Sequence, residues 1–174
     1  FDNTGRPIHP TFRQQKHVAT EPIPYEPGLP ILFGCDYGLT PAAVIAQETE
    51  SGQIRIIDEI VTEDMGAVTF GELLSQCLRG PFSQSSAEGW GDPAGDQRSA
   101  IRESENVTLV LRAKGIPVTS APTNDPMMRQ DSLNRLLGSS DMLGEPAIIV
   151  SPKCRYLVKG LSGGYQRRAL QVAG

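Results

Sequence analysis

No apolar run in this 174-residue sequence approaches the ~18 residues that a membrane-crossing helix needs. The opening, FDNTGRPIHP, has neither the basic head nor the apolar centre of a signal peptide. Cysteine is scarce: Cys35, Cys77 and Cys154 fit neither a disulfide framework nor a zinc-ligand spacing. They are expected as the reduced thiols of an intracellular protein. There is no internal repeat and no low-complexity tract. Histidine is confined to His9 and His17, in the proline-rich opening, where a surface position is expected. Acidic residues stop at Glu145, which leaves the last part of the chain without a negative side chain.

What is present suits one soluble domain with a sizeable core, at 39% hydrophobic and 21% charged residues. A net charge of −4 argues weakly against a nucleic-acid partner. Its distribution says more. Beyond Glu145 come Lys153, Arg155, Lys159, Arg167 and Arg168. A protein that holds cations at one place and phosphates at another has this asymmetry, and so does an ordinary domain with an uneven surface.

Residues 1–30 hold six of the 14 prolines. Proline removes backbone donors and disfavours helix before it, so the stretch reads as an extended arm or linker. Order begins at Pro30–Cys35 (PILFGC), a buried strand ending at Asp36. Ala42–Gln47 and Gln53–Val61, joined across Ser51-Gly52, extend it into an antiparallel meander. Residues 65–79 place Val68, Phe70, Leu73, Leu74, Cys77 and Leu78 at helical spacing, with Gly80-Pro81 as the stop. A strand around Gly89-Trp90 leads to Asp92. A helix within 98–114, a strand at 117–122, a helix from Asp125-Pro126 to about Leu137 and a strand at 147–150 follow. Gly160, Gly163 and Gly164 in the basic segment suggest a flexible hairpin. A meander followed by alternating helices and strands is a mixed α/β order.

Two motifs carry chemistry. In GCDYG (34–38) and WGDPAG (90–95), a short apolar strand delivers an Asp at its carboxyl end, flanked by glycine. Strand ends are where open α/β sheets place ligands. Each alone is as readily a turn former or helix cap. If the strands are neighbours, Asp36 and Asp92 sit side by side, and a divalent cation relieves their repulsion. Magnesium prefers one or two carboxylates plus water and substrate phosphate. Two such ions can activate water on one side of a phosphodiester and stabilise the leaving oxygen on the other.

The runs GLPILFGCDYGLTPAAVIAQ, GWGDPAGDQRS, RAKGIPVTSAPTNDPMMRQDSLNRLL and SPKCRYLVKGLSGGY, in that order, resemble the nuclease domain of tailed-phage large terminases. The resemblance spans roughly residues 1–172. It implies an RNase H-like fold, a central mixed β-sheet flanked by helices. It implies endonuclease action on concatemeric double-stranded DNA with Mg²⁺ or Mn²⁺ in a two-metal site. Asp36 and Asp92 match the family's first-strand ligand and its GDPAG-type ligand. It also implies a preceding ATPase domain, so that 1–30 is the arm leaving it and 31–174 the nuclease domain. Portal protein and the small terminase subunit are the implied partners, no membrane is involved, and the location is the cytoplasm of a bacterial host. The family's third ligand, an Asp on a helix beyond the basic segment, has no counterpart after Glu145.

Other acids have plainer readings: Glu72 solvated in mid-helix, Asp96 on a loop, Asp125 as a helix cap, and Asp58 and Glu59 as solvated strand edges. The basic set Lys153, Arg155, Lys159, Arg167 and Arg168 suits sequence-blind phosphate contacts. Asp36–Thr40 also fits the D-x-G-x-T phosphate loop of actin-like ATP-binding proteins, but those need two such lobes and no second D-x-G-x-T occurs. A resolvase or recombinase shares the fold and the metal chemistry. A non-catalytic module that docks DNA or portal protein is the reading left open by the missing third carboxylate.

Overall fold

A computed structural model of the chain describes residues 7–37, 40–92 and 107–164. Its centre is a six-stranded sheet in the spatial order β5-β4-β1-β2-β3-β6. Strands β1 (Ile31–Asp36), β2 (Ala42–Glu48) and β3 (Ile54–Val61) form the antiparallel meander expected from their short turns. Strand β4 (Ala87–Gly91) lies parallel to β1, β5 (Val118–Ser120) parallel to β4, and β6 (Ile148–Val150) parallel to β3.

Alternation along β1 divides the core in two, because successive side chains of a strand point to opposite faces. Ile31, Phe33 and Cys35 join Ala43, Ile45 and Ile57 on one face. Helix α2 (Ala67–Arg79) covers that face with Phe70, Leu74 and Leu78, and α3 (Val107–Ala113) covers it with Leu111. On the other face Leu32, Val44, Ala46, Ile56, Ile148 and Val150 pack beneath α4 (Pro126–Gly138) and α5 (Arg155–Lys159), through Leu133, Leu137 and Leu157 among others. Helices therefore flank both faces.

The opening segment is packed onto the domain. Phe12 belongs to the second core cluster, and Val18 bridges β6 at Val150. The short helix α1 (Gln14–His17) ends in His17, which is only 1% exposed, against the surface position expected for it. Its Nδ1 accepts from the Arg13 amide at 2.9 Å and its Nε2 donates to the Leu137 carbonyl at 3.0 Å. A polar ring is tolerated at this depth because both nitrogens are satisfied. Gln47 does the same further along, accepting from the Glu26 amide and donating to the Glu26 and Leu29 carbonyls.

The hairpin expected in the basic segment is helical in the structure. Residues 155–159 form α5, and Gly160–Gly164 continue as a wider turn with Gly163 at φ 114°. The physical reason lies on β3: the Glu59 carboxylate accepts from the Tyr156 and Leu157 amides, both at 2.9 Å, and so caps the first turn of α5. Asp58 receives the Lys153 ammonium at 2.9 Å. The two acids expected as solvated edges thus tie α5 to the sheet. Among the described residues no helix is long and apolar enough to cross a membrane.

Candidate active site

The carboxyl ends of the parallel strands β1, β4 and β5 lie together on one edge of the sheet. The β1–β4 register pairs Gly34 with Trp90 and Cys35 with Gly91, and the Asp92 amide donates to the Cys35 carbonyl at 3.2 Å. Continued by one residue, this register sets Asp36 beside Asp92, about 4.8 Å apart along the ladder. By alternation both carboxylates, with Trp90, face the side covered by α4.

The glycines of Gly89-Trp90-Gly91 explain why these strands approach so closely. A Cβ on Gly89 would stand 2.2 Å from the Phe33 ring, and one on Gly91 would stand 2.2 Å from the Tyr37 hydroxyl. Two aromatic rings from the β1 side therefore lie over the bare backbone of β4. On its inner face the strand carries only the Ala87 methyl beside the two glycines, while Glu88 and Trp90 are on the outer one. Strand β5 pins β4 from the other side, through Gly89 to the Pro117 carbonyl (3.0 Å) and Ala121 to the Gly91 carbonyl (2.9 Å).

Asp36 is exposed, whereas the Asp92 side chain is 19% exposed. They line a cleft of about 510 Å³ with Trp90, Thr123, Met128 and Arg129. A second cleft, of about 540 Å³, lies between His9, α4 and α5 and has Asp36 in its wall. Arg129, one turn into α4, sets its Nη1 4.0 Å from the Asp92 carboxylate and 3.4 Å from the Asn124 side-chain oxygen. Sequence reasoning passed over Arg129. The available signal was its place in the first turn after the Asp125 cap, just beyond strand β5. That cap is as expected: the Asp125 carboxylate accepts from the Met127 amide at 2.7 Å and the Met128 amide at 3.2 Å.

The cysteines are free, and the site does not use them. Burial pushes the Cys35 thiol up to about 12, the nearby Asp36 charge adds to the rise, and a hydrogen bond with Tyr37 opposes it. Burial likewise raises Cys154 to about 12 and Cys77 to about 11. None is a thiolate nucleophile near neutral pH.

Two neighbouring carboxylates at a strand edge suit a hard cation that takes one or two protein oxygens and completes its shell with water and phosphate. Among the described residues no group of three or more His, Cys, Asp or Glu side chains could hold a metal. Glu72 is exposed on α2, across the sheet from the site, within 3.8 Å of Lys114. Asp96 lies outside the described residues. Lys153 is engaged by Asp58, while Arg155 and Lys159 line a separate cleft of about 720 Å³ with Gln14 and Ser162. Arg167 and Arg168 lie outside the described residues.

Solved structures similar to this fold include large terminases. The large terminase of a thermophilic bacteriophage superposes with a TM-score of 0.69 at 17% identity, over 96% of this chain and 41% of that one. The complex of that terminase with ADP gives a TM-score of 0.67 at 18% identity, over 89% and 36%. The nuclease domain of the P22 large terminase gives 0.63 at 11% identity, over 92% and 79%. The fold is the RNase H-like fold of a terminase nuclease domain. The chain spans only 36–41% of the length of the thermophilic phage's terminase chains. No protein-family model and no curated protein matches the sequence.

Proposed function

We propose that this chain is the nuclease domain of a viral DNA-packaging motor. It cuts concatemeric double-stranded DNA by metal-dependent phosphodiester hydrolysis at Asp36 and Asp92. The observation that carries the reading is the parallel register that sets two strand-end carboxylates side by side in a cleft. The likeness in fold to terminase nuclease domains supports it.

Asp36 and Asp92 are the residues that hold Mg²⁺ or Mn²⁺ in this reading, as a two-metal site. Bound there, the cations supply Lewis-acid activation of water and charge stabilisation of the leaving oxygen. The chain's own residues hold the geometry. Gly89 and Gly91 let β1 and β4 close up. The half-buried position of Asp92 keeps one carboxylate oriented, and exposed Asp36 meets the incoming strand. Lys153, Arg155, Lys159, Arg167 and Arg168 contact phosphates without reading sequence. Lys153 contributes least, because Asp58 already takes its charge.

In the whole protein, residues 1–30 are the arm from a preceding ATPase domain and 31–174 the nuclease. Portal protein and the small terminase subunit are its partners, in the cytoplasm of the bacterial host. A cleavage assay on plasmid DNA with Mg²⁺ or Mn²⁺ tests the reading. Metal-dependent conversion of supercoiled DNA to nicked or linear forms is expected, and its absence from the full-length protein would overturn it. One observation favours a second reading: two carboxylates without a third among the described residues also suit a non-catalytic module that docks DNA or portal protein. Asp36→Asn separates the two, because a nuclease loses cutting and keeps DNA binding, whereas a docking module changes in neither.

A further inference from the structure

The two clefts at this edge of the sheet share two residues, Asp36 and Arg129. Arg129 therefore stands where a strand running from one cleft to the other passes the carboxylates. Its position is not explained by stability. The side chain is 53% exposed, and its nearest carboxylate oxygen is 4.0 Å away, so the pair adds little to folding. Nor does the helix favour it. The first turn of α4 carries the positive end of the helix dipole, where acids are stabilised and cations are not, and the Asp125 carboxylate at this end is taken up by the Met127 and Met128 amides. A cation is thus held in an unfavourable helix position, beside the Asp92 carboxylate, in a groove open to solvent. An arginine fork matches the paired oxygens of a phosphodiester, with donors that a carboxylate at 4.0 Å does not saturate.

We propose that Arg129 is a phosphate clamp. It pairs with Asp92 while the groove is empty, then turns to the non-bridging oxygens of the phosphodiester that lies across Asp36 and Asp92. The inference rests on the nuclease reading for the identity of that phosphodiester as scissile, but not for phosphate binding itself. Arg129 forms and breaks no covalent bond in this role. It orients the phosphate and offsets its charge beside two carboxylates.

The test uses the full-length protein carrying Asp92→Asn, which leaves the guanidinium available and abolishes cutting under the nuclease reading. Binding to two unrelated duplexes is measured in EDTA across a salt series, with and without Arg129→Ala. Removing one phosphate contact lowers the slope of log K against log salt by about 0.9, equally on both duplexes. An unchanged slope overturns the clamp, and a loss on one duplex only replaces it with base readout. In the otherwise unaltered protein, Mn²⁺ affinity without DNA stays equal or tightens in Arg129→Ala, because a cation competing for Asp92 is gone. Weaker Mn²⁺ binding makes Arg129 a support for Asp92 and also overturns the clamp. Arg129→Lys recovers part of the slope and less of the cleavage rate, since an ammonium keeps the charge but not the fork. If the unaltered protein never cuts DNA while Arg129→Ala still flattens the slope, the nuclease reading fails and the clamp stands.

Discussion

The Asp92 amide donates to the Cys35 carbonyl at 3.2 Å, and this one backbone bond carries the β1–β4 ladder to its last rung. It brings two carboxylates that are 56 positions apart in the sequence to adjacent strand ends. The chemistry proposed for the chain depends on that rung.

Replacing either carboxylate by its amide keeps the shape and removes the charge that binds a hard cation. Asp36→Asn and Asp92→Asn each lower metal-dependent cleavage by about 10²–10³-fold or more, as expected for losing a preorganised charge-stabilising group. Thermal melting without metal moves the other way for Asp36→Asn: Tm holds or rises, since a repulsion between neighbours is relieved. Residual cleavage near the wild-type rate in either variant refutes their assignment.

The glycines of β4 predict a graded pair of effects. Gly89→Ala drives a methyl into the Phe33 ring within the core, at a cost of about 1–3 kcal/mol and a fall in Tm of several degrees. Gly91→Ala meets Tyr37 next to the site, so it lowers cleavage more than its loss of stability accounts for. Melting curves and initial rates on both variants check the difference. Equal effects on rate would show that the Tyr37–Gly91 contact does not position Asp92.

His17 gives a pH dependence of known sign. Burial lowers its pKa from 6.5 and nearby Lys16 adds to the lowering, against the hydrogen bond to the Leu137 carbonyl. Above 6.5 the folded and unfolded chains are both neutral here, and the full contribution to stability is present. As pH falls below 6.5 the unfolded chain takes up a proton that the folded one resists, and stability is lost. Urea unfolding across that range should show a slope that is smaller in His17→Gln. An identical pH dependence in the two proteins would remove His17 as its source.

The basic segment divides into engaged and available charges. Lys153→Ala leaves the salt dependence of DNA binding nearly unchanged, because its ammonium is spent on Asp58 at 2.9 Å. Arg155→Ala with Lys159→Ala flattens the slope by about 0.9 for each phosphate that is no longer neutralised, on any duplex. Equal effects from Lys153 and from the pair would mean that the Asp58 ion pair opens when DNA binds.

Much of this was readable from periodicity and punctuation. The meander of β1–β3, the amphipathic α2, the Asp125 cap and the strand ends at Asp36 and Asp92 are local features, set by alternation, helical spacing and the residues that can turn a chain. The acid-free segment after Glu145 was equally plain, yet its shape was not. Glycines alone suggested a hairpin, whereas two amides capped by Glu59, nearly a hundred positions earlier, make it a helix. The histidines show the same boundary. Nothing near His17 signals that the Leu137 carbonyl, 120 positions away, will satisfy its ring in the core.

The sequence by itself determined which carboxylates end strands and which faces of the elements are apolar, because both follow from neighbours within a few residues. Only the tertiary structure decided that β1 and β4 are adjacent and in register, that Arg129 stands over Asp92, and that Lys153 is occupied while Arg155 and Lys159 line a cleft of their own. Those are distances between residues far apart in the chain. They are set by how two core layers pack on one sheet, and no local pattern encodes them.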